Sequence, residues 1–588
     1  MALTRLSTPL LLLAAAVASA QSTCPPTPTF SPCDIVFDLP AAALTQHPNP
    51  FATVEFRAEF RSPRSRVLSI PGFWDGDGKF ILRFSPTEPG NWVYRVTSNL
   101  PALNGQNGSV AATDSGKPGF LRRDNVHHFS YTGIRKAHLW MGDTSLQFGW
   151  IDQAQFDQLL EARTKQKFNH MRGLLMSADT QAFKDGRPNF QHFRQLDARV
   201  LAMNKAGIFT DLILAGASDH LTKLFPTPAD REKFFRFAVA RYGAMMVTWQ
   251  GVEEFETYTN ARAIAKEMGL ALKRLDPYQH PRTTSASISS APLIADAWMD
   301  IAAYQTADNA VSGIERQLLT MPSINVFAKD TTDADAHRKN LWNATMSGQY
   351  PVSANTGVDT PQTKAMTAWF DFFEPTRYWE LQPFFEVDGG RALSLPGIEY
   401  IVYVEKPGTV EVVTEKHGYD VYWFRPSTGE SIKQKKNFDG ERFSGQPPDT
   451  KSDWVLHLSR DGKKEGMLKS YKFESTPVVN QEVERIPAKV PFEFAAPTID
   501  TVAAGKTINY KVKLTRETRA TGTMLYLWSA EATTGGQGYR IVGTGAEGQF
   551  SIPANISSSL PAVVNLRLYG MNLNGKVYQL DRVIRVTQ

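Results

Sequence analysis

Between about Lys136 and Thr376 the chain repeats one pattern eight times, a short apolar run that stops at polar or small residues. Lys136–Met141 stops at Gly142-Asp143-Thr144, Phe168–Met176 at Ser177, and Phe209–Ala215 at Gly216-Ala217-Ser218-Asp219-His220. Met245–Trp249 runs into Gln250-Gly251-Val252-Glu253-Glu254. Thr283–Ile288 follows, then Met299–Ala303 before Tyr304-Gln305, Ser323–Ala328 before Lys329-Asp330, and Tyr350–Ala354 before Asn355. Stretches with apolar residues three and four apart separate most of these runs. They predict helices over Gln153–Gln166, Phe193–Ala206, Pro228–Arg241, Asn260–Leu275, Asp333–Ser347 and Pro361–Phe373, while the region after the fifth run has no clear pattern. Eight alternations of this length predict a closed, parallel (β/α)8 TIM barrel. In such a barrel the strand C-termini converge on one face, so polar residues collected there are the candidates for chemistry.

The chain has 588 residues, too many for one core, and three or four domains are expected. The predicted organisation is multidomain: a signal peptide at 1–20, a β-sandwich at 34–118, the barrel at 130–376, a small β-domain at 377–460, and an all-β C-terminal segment at 471–588. Strands in the first sandwich are expected at Thr53–Phe60, Arg66–Ile70, Lys79–Ser85 and Trp92–Ser98, with the aromatics of Gly72-Phe73-Trp74 and Trp92-Val93-Tyr94 in its core. Further strands are expected at Gly397–Val404, Thr409–Val413, Asp420–Phe424 and Trp454–Leu458, and later at Thr507–Leu514, Met524–Leu527 and Val563–Leu568.

Arg5, the apolar run Pro9–Val17 and the small residues Ala18-Ser19-Ala20 read as an export signal cleaved after Ala20, which implies a secreted or periplasmic protein with no membrane span. The two cysteines, Cys24 and Cys33, are expected to pair in an oxidising compartment. A net charge of +5 over this length, with no basic block, argues against nucleic-acid binding. No metal-ligand spacing, nucleophile elbow, phosphate loop or dinucleotide fingerprint occurs, so neither a metal nor any other cofactor is expected.

The sharpest chemical signal is Trp249-Gln250-Gly251-Val252-Glu253-Glu254 at the fourth strand end. Side chains alternate along extended backbone, so Glu253 and Glu254 face the barrel mouth together only if the strand has already ended. One of them is well placed as a proton donor, with aromatic neighbours such as Trp249 expected to disfavour its ionised form. The competing reading of these consecutive acids is a solvated loop. Asp143, Asn169, Arg172, Asp219, His220, Tyr304, Gln305 and Asn355 are the other polar residues near strand ends, and Arg172 is a candidate to grip a carboxylate. Asp143 has a second reading as a loop cap. Each alone says little; the set points to a polyhydroxylated ligand.

Trp140-Met141-Gly142-Asp143-Thr144-Ser145, Phe168-Asn169 and Trp249-Gln250-Gly251-Val252-Glu253-Glu254 together resemble the apiosidase-like barrel of glycoside hydrolases. Residues 34–118 look like the β-sandwich of unknown function that precedes such barrels, and Leu393–Tyr403 with Val421–Gly429 look like the collagen-binding-type β-domain that follows. The resemblance implies cleavage of a glycosidic bond in a polysaccharide or oligosaccharide. It also implies an acid five residues beyond the strand-four tryptophan, at Glu254, with Glu253 one register away. Related barrels carry a second carboxylate at the seventh strand end, where this chain has Phe327; Asp330 is the nearest substitute, with Asp219 and Asp143 as alternatives. Two other readings compete: a non-catalytic carbohydrate-binding protein on a degenerate barrel, using Trp249 and Tyr304, and an adhesion protein whose β-domains do the work.

Overall fold

The computed structural model describes residues 20–21, 23–124, 126–134, 136–326, 333–354, 357–460, 483–516, 518, 524–532, 540–552, 562–572 and 575–587. The chain divides into two compact units, with the boundary between Ser115 and Gly116.

The first unit pairs Cys33–Asp38, Lys79–Phe84 and Phe73–Trp74 in one sheet with Ala20–Gln21 at its edge; Thr27–Pro28, Asn107–Thr113, Gly90–Ser98, Phe56–Arg61 and Val67–Pro71 form a second. Phe56–Arg61 alternates buried and exposed side chains along its length, as a strand with one solvated face must. Phe60 stacks on Phe84 with ring centroids 4.0 Å apart, and Trp92 meets Phe84 edge-on at 5.1 Å, so the aromatics form the core. The strand expected from Thr53 begins only at Phe56, because Pro50–Thr53 forms a helical turn with proline at its start. Cys24 and Cys33 form a disulfide with Cα atoms 6.0 Å apart.

The second unit is built on a curled parallel sheet of seven strands. In chain order they are Gly142–Thr144, His170–Leu174, Phe209–Ile213, Val247–Trp249, Ala302–Tyr304, Ser323–Val326 and Tyr350–Ala354. The first strand pairs with both the second and the last, so the sheet curls round on itself. The one remaining position, fifth in chain order, is taken by residues 281–290, which are not a regular strand. The Thr283 N–H donates to the Trp249 carbonyl on one side, and the Ile301 N–H donates to Arg282 on the other. The strand expected over Thr283–Ile288 is therefore an irregular bridge, in which Ser289 Oγ and Ser290 Oγ engage Glu315 and the Ala303 N–H in place of a ladder.

The first strand also differs from expectation. Ala137–His138 belongs to a small antiparallel sheet with Leu121–Asp124 and His128–Tyr131, and the parallel strand starts at Gly142. Between them, Asn169 Oδ1 accepts from the Met141 N–H and its Nδ2 donates to Leu139, replacing strand pairing with side-chain bonds. The helices are Gln153–Lys165, Phe190–Lys205, the short His220–Leu224, Pro228–Tyr242, Ala261–Leu275, Asn309–Leu318, Ala334–Met346 and Pro361–Phe373. Asn309–Leu318 has no counterpart in the sequence reading. Asp152, Asn189, Thr227, Asp333 and Thr360 accept from backbone N–H groups at helix starts; the helix capped by Asn189 begins at Phe190, three residues before the expected Phe193.

Two further β-regions complete this unit. In the first, Val410–Arg425 is one long strand rather than the two expected, because a register shift between Val413 and His417 breaks its pattern without ending it. In the last, two sheets enclose Trp528, Tyr510 and Phe550. Both regions pack on the helical layer: Trp342 stacks on Tyr403, and Ile314 shares a core with Leu527 and Met571. No helix among the described residues is long and apolar enough to cross a membrane.

Candidate active site

The fourth strand ends at Trp249, before the acidic pair. Gly251 has φ +60°, and a Cβ there would lie 2.4 Å from Thr284 Oγ1, so only glycine fits this turn. Pairing with the third-strand segment then resumes: Val252 bridges Ala215, and the Glu253 N–H donates to Ala215. Glu254 follows in the left-handed region at φ 43°. Alternation of faces has lapsed by this point, which frees both acids from having to face opposite ways.

Beneath them lies Arg172, buried on the second strand. Burial lowers its pKa to about 10, and the charges of Glu253, Asp211 and Glu254 oppose that shift, in that order of strength. Arg172 Nε has no hydrogen-bond partner among the described residues, and neither has Asp211 Oδ2. The cation is therefore held by field rather than by a closed ion pair. Glu253 also lies beside His220: a Cβ on Gly216 would sit 3.5 Å from His220 Nδ1 and 4.0 Å from Glu253 Oε2. The Gly216 N–H donates to His220 Nδ1, and desolvation lowers the imidazole pKa.

Asp211 is fully buried on the third strand, in register with Arg172 and with Thr248 of the fourth. Its Oδ1 receives Thr248 Oγ1 at 2.7 Å and contacts His170 Nδ1 at 2.9 Å. Burial raises its pKa well above the usual carboxylate range, against the Thr248 hydrogen bond and the Arg172 charge. The sequence reading missed Asp211 and His170. Their signal was present: His170 and Arg172 alternate on one strand, and Asp211 interrupts the apolar run Phe209–Ile213 on the same inward face. Glu256 was missed as well. Desolvation raises its carboxyl to about 6 although the residue as a whole is exposed, with Ser287 bonds opposing and the Glu254 charge adding.

Several candidates are committed elsewhere. Asp143 lies within the first strand rather than past its end; Arg163 Nε and Ser353 Oγ each reach its carboxylate at 2.7 Å, leaving it an internal tie. Asn169 is the brace described above. Trp249 is fully buried, and its indole N–H donates to Asp276 Oδ2 at 2.9 Å, turned to a helix-end loop and away from the acids. Tyr304 is buried in the core shared with the last β-region, and its hydroxyl bonds Glu315. Asp219 binds the Thr259 N–H at 2.8 Å and Thr259 Oγ1 at 2.7 Å, tying two rim loops together. Gln305 is half-buried at its strand end. Phe327, Asp330 and Asn355 lie outside the described residues. The structure thus gathers Arg172, His220, Glu253 and Glu254 and disperses Asp143, Asn169, Trp249 and Tyr304. Among the described residues no group of three or more His, Cys, Asp or Glu side chains is placed to hold a metal ion. One cavity, of about 820 Å³, lies away from these acids, between helix Pro361–Phe373 and the sheet carrying Tyr422 and His457.

Residues 125–350 match the family model of the apiosidase-like catalytic domain, and residues 27–99 match a domain of unknown function, DUF5060. No curated protein matches the chain in sequence. Among solved structures, a "putative glycoside hydrolase" from Bacteroides vulgatus aligns at 15% identity and a TM-score of 0.62, over 74% of this chain and 99% of that one. A glycoside hydrolase family 5 protein from the same organism aligns at 13% identity and a TM-score of 0.52, over 59% and 94%. A protein described as a glycoside hydrolase aligns at 12% identity and a TM-score of 0.51, over 61% and 98%. At these identities the likeness is one of fold.

Proposed function

We propose, from the apiosidase-like catalytic domain that this chain carries behind a DUF5060 domain, that the protein is an exported glycoside hydrolase acting on a polysaccharide or oligosaccharide through a (β/α)8 barrel. The observation that carries this reading is the electrostatic grouping of Glu253 and Glu254 with buried Arg172 at the C-terminal rim of the fourth strand. A strand rim of this kind is where barrel enzymes assemble their chemistry. Glu254 is the general acid in this proposal. It protonates the leaving glycosidic oxygen, while Glu253, with His220 beside it, orients the sugar ring. Transfer of the acid's proton to the leaving group leaves a negative charge that Arg172 stabilises.

Glycosidic cleavage by the common route needs a second carboxyl group across the scissile bond. Asp143 and Asp219 are tied into internal bonds, which leaves Asp330 as the proposed partner. The test is a release assay on plant and bacterial polysaccharides with the purified mature protein, alongside Glu254→Gln, Glu253→Gln and Asp330→Asn. Loss of a positioned general acid lowers turnover by about 10²–10⁴-fold, and that loss is expected in Glu254→Gln. No sugar release by the unmodified protein on any glycan that it binds would overturn the hydrolase reading in favour of a binding protein.

A further inference from the structure

The interior beneath the acid pair carries a line of hydrogen bonds that the hydrolytic proposal does not use. Tyr131 Oη contacts His138 Nδ1 at 2.6 Å, His138 Nε2 contacts His170 Nε2 at 2.9 Å, and His170 Nδ1 contacts Asp211 Oδ1 at 2.9 Å. The line starts at half-buried Tyr131, in the small antiparallel sheet before the first parallel strand, and ends at fully buried Asp211. Trp140 stacks on His170 with centroids 3.4 Å apart, and Phe209 stacks on it at 5.2 Å, which fixes the ring.

A neutral imidazole has one N–H and one lone pair, so two neutral arrangements satisfy all three contacts. In the first, the Tyr131 hydroxyl donates to His138 Nδ1, His138 Nε2–H donates to His170 Nε2, and His170 Nδ1–H donates to an Asp211 carboxylate. In the second every arrow is reversed: an Asp211 carboxylic acid donates to His170 Nδ1, His170 Nε2–H to His138 Nε2, and His138 Nδ1–H to the Tyr131 oxygen.

We infer that Tyr131, His138, His170 and Asp211 form a proton relay between the small antiparallel sheet that carries Tyr131 and the Asp211 carboxylate beside Arg172. Passing from the first arrangement to the second, the Tyr131 proton moves to His138 Nδ1, the His138 Nε2 proton to His170 Nε2, and the His170 Nδ1 proton to Asp211. Tyr131 then takes one proton from solvent. The net change is one proton gained by Asp211, and both rings end neutral with their tautomers exchanged. Burial supports this route, because it lowers both imidazoles well below their ordinary value and raises Asp211, so the carboxyl holds the extra proton. The other charged or polar groups facing the line are Lys136 toward His138, Tyr378 toward Tyr131, and Thr248 and Arg172 toward Asp211. Its consequence at the rim rests on the hydrolase reading: ionised Asp211 offsets the Arg172 charge, and protonated Asp211 leaves that charge to Glu253 and Glu254. The relay itself does not rest on that reading.

The test is a titration of the full chain labelled with 15N-histidine from about pH 4 to about pH 9, with His138→Gln and His170→Gln assigning the two rings. Both rings are expected to stay neutral and to exchange tautomers together at one midpoint above the ordinary carboxylate range. Asp211→Asn is expected to hold one tautomer set throughout, and Tyr131→Phe to move the midpoint by about one pH unit or more, about tenfold in proton affinity. Imidazolium formation at either ring, fixed tautomers across the range, or an unshifted midpoint in Tyr131→Phe would overturn the relay. Should Asp211→Asn not fold, the unmodified protein and Tyr131→Phe decide alone. A negative result here leaves glycan cleavage by the Glu254 site untouched, and absent cleavage leaves the tautomer exchange untouched.

Discussion

Asp143 and Asp211 stand on strands of the same curled sheet, each buried and each beside a buried arginine, yet their surroundings differ. Asp143 meets Arg163 at 2.7 Å, Ser353 takes its other oxygen, and Arg163 gives its remaining donors to Gln166 and to carbonyls of the Gly357–Val358 turn. Arg172, beside Asp211, keeps an Nε with no hydrogen-bond partner among the described residues and lies within the fields of three carboxylates. The first pair is closed and joins sheet to helix. The second is open, and an open buried charge is what a site needs if it is to respond to a proton or a ligand. Burial and charge type are the same in the two cases, so the hydrogen-bond inventory is what separates the closed pair from the open one.

The largest way to stress this contrast is Asp143→Ala, which strands Arg163 as an unpaired buried charge. A stability loss of about 3–5 kcal/mol is expected in denaturant unfolding. Arg172→Met should behave oppositely. With no closed pair to break, its midpoint is expected to stay within about 1.5 kcal/mol of the parent, while turnover on any substrate found falls by about 10²-fold. An equal stability loss in both variants would erase the distinction.

Glu315 sharpens it from another side, as a buried acid with no cation among the causes of its shift. Burial raises it to about 7, against hydrogen bonds from Ser289 and Tyr304. Its folded pKa exceeds the ordinary 4.5, so between these values the native state binds more protons than the unfolded chain. Its contribution is complete below about 4.5 and declines as the pH rises toward about 7 and beyond. Glu315→Gln is expected to flatten that decline, by a few kcal/mol at most, in unfolding curves taken across the window. The smallest effect is expected at Trp249→Phe. It deletes one hydrogen bond to Asp276, which retains bonds from His280 and the Tyr278 N–H, at about 1 kcal/mol and with little change in turnover. A large turnover loss there would return Trp249 to the site.

Much of the fold was legible because its signals are local. Thr227 before Pro228 and Thr360 before Pro361 announce helix starts, and Tyr350–Ala354 was read to the residue. The fifth position was not legible, since residues 281–290 form bridges through serine hydroxyls with no repeating pattern. The first strand slipped because the apolar run before Gly142 is split between an antiparallel pair at Ala137–His138 and bonds from Leu139 and Met141 to the Asn169 side chain. Glu253 and Glu254 lie beyond the end of the fourth strand, as read, whereas Arg172 lies within the second strand rather than at its end. Asp211 was hidden by the apolar residues around it, and the fate of Asp143 depended on Arg163, twenty positions away.

The sequence by itself determined the alternation of elements, the cysteine pair, the aromatic core of the first sandwich and the position of Glu253 and Glu254 at a strand end. All of these follow from periodicity and from chemistry carried by near neighbours. Tertiary structure alone decided which polar side chains are used up and which stay available, because a hydrogen bond is satisfied by whatever the fold brings within about 3 Å, however far off it lies along the chain.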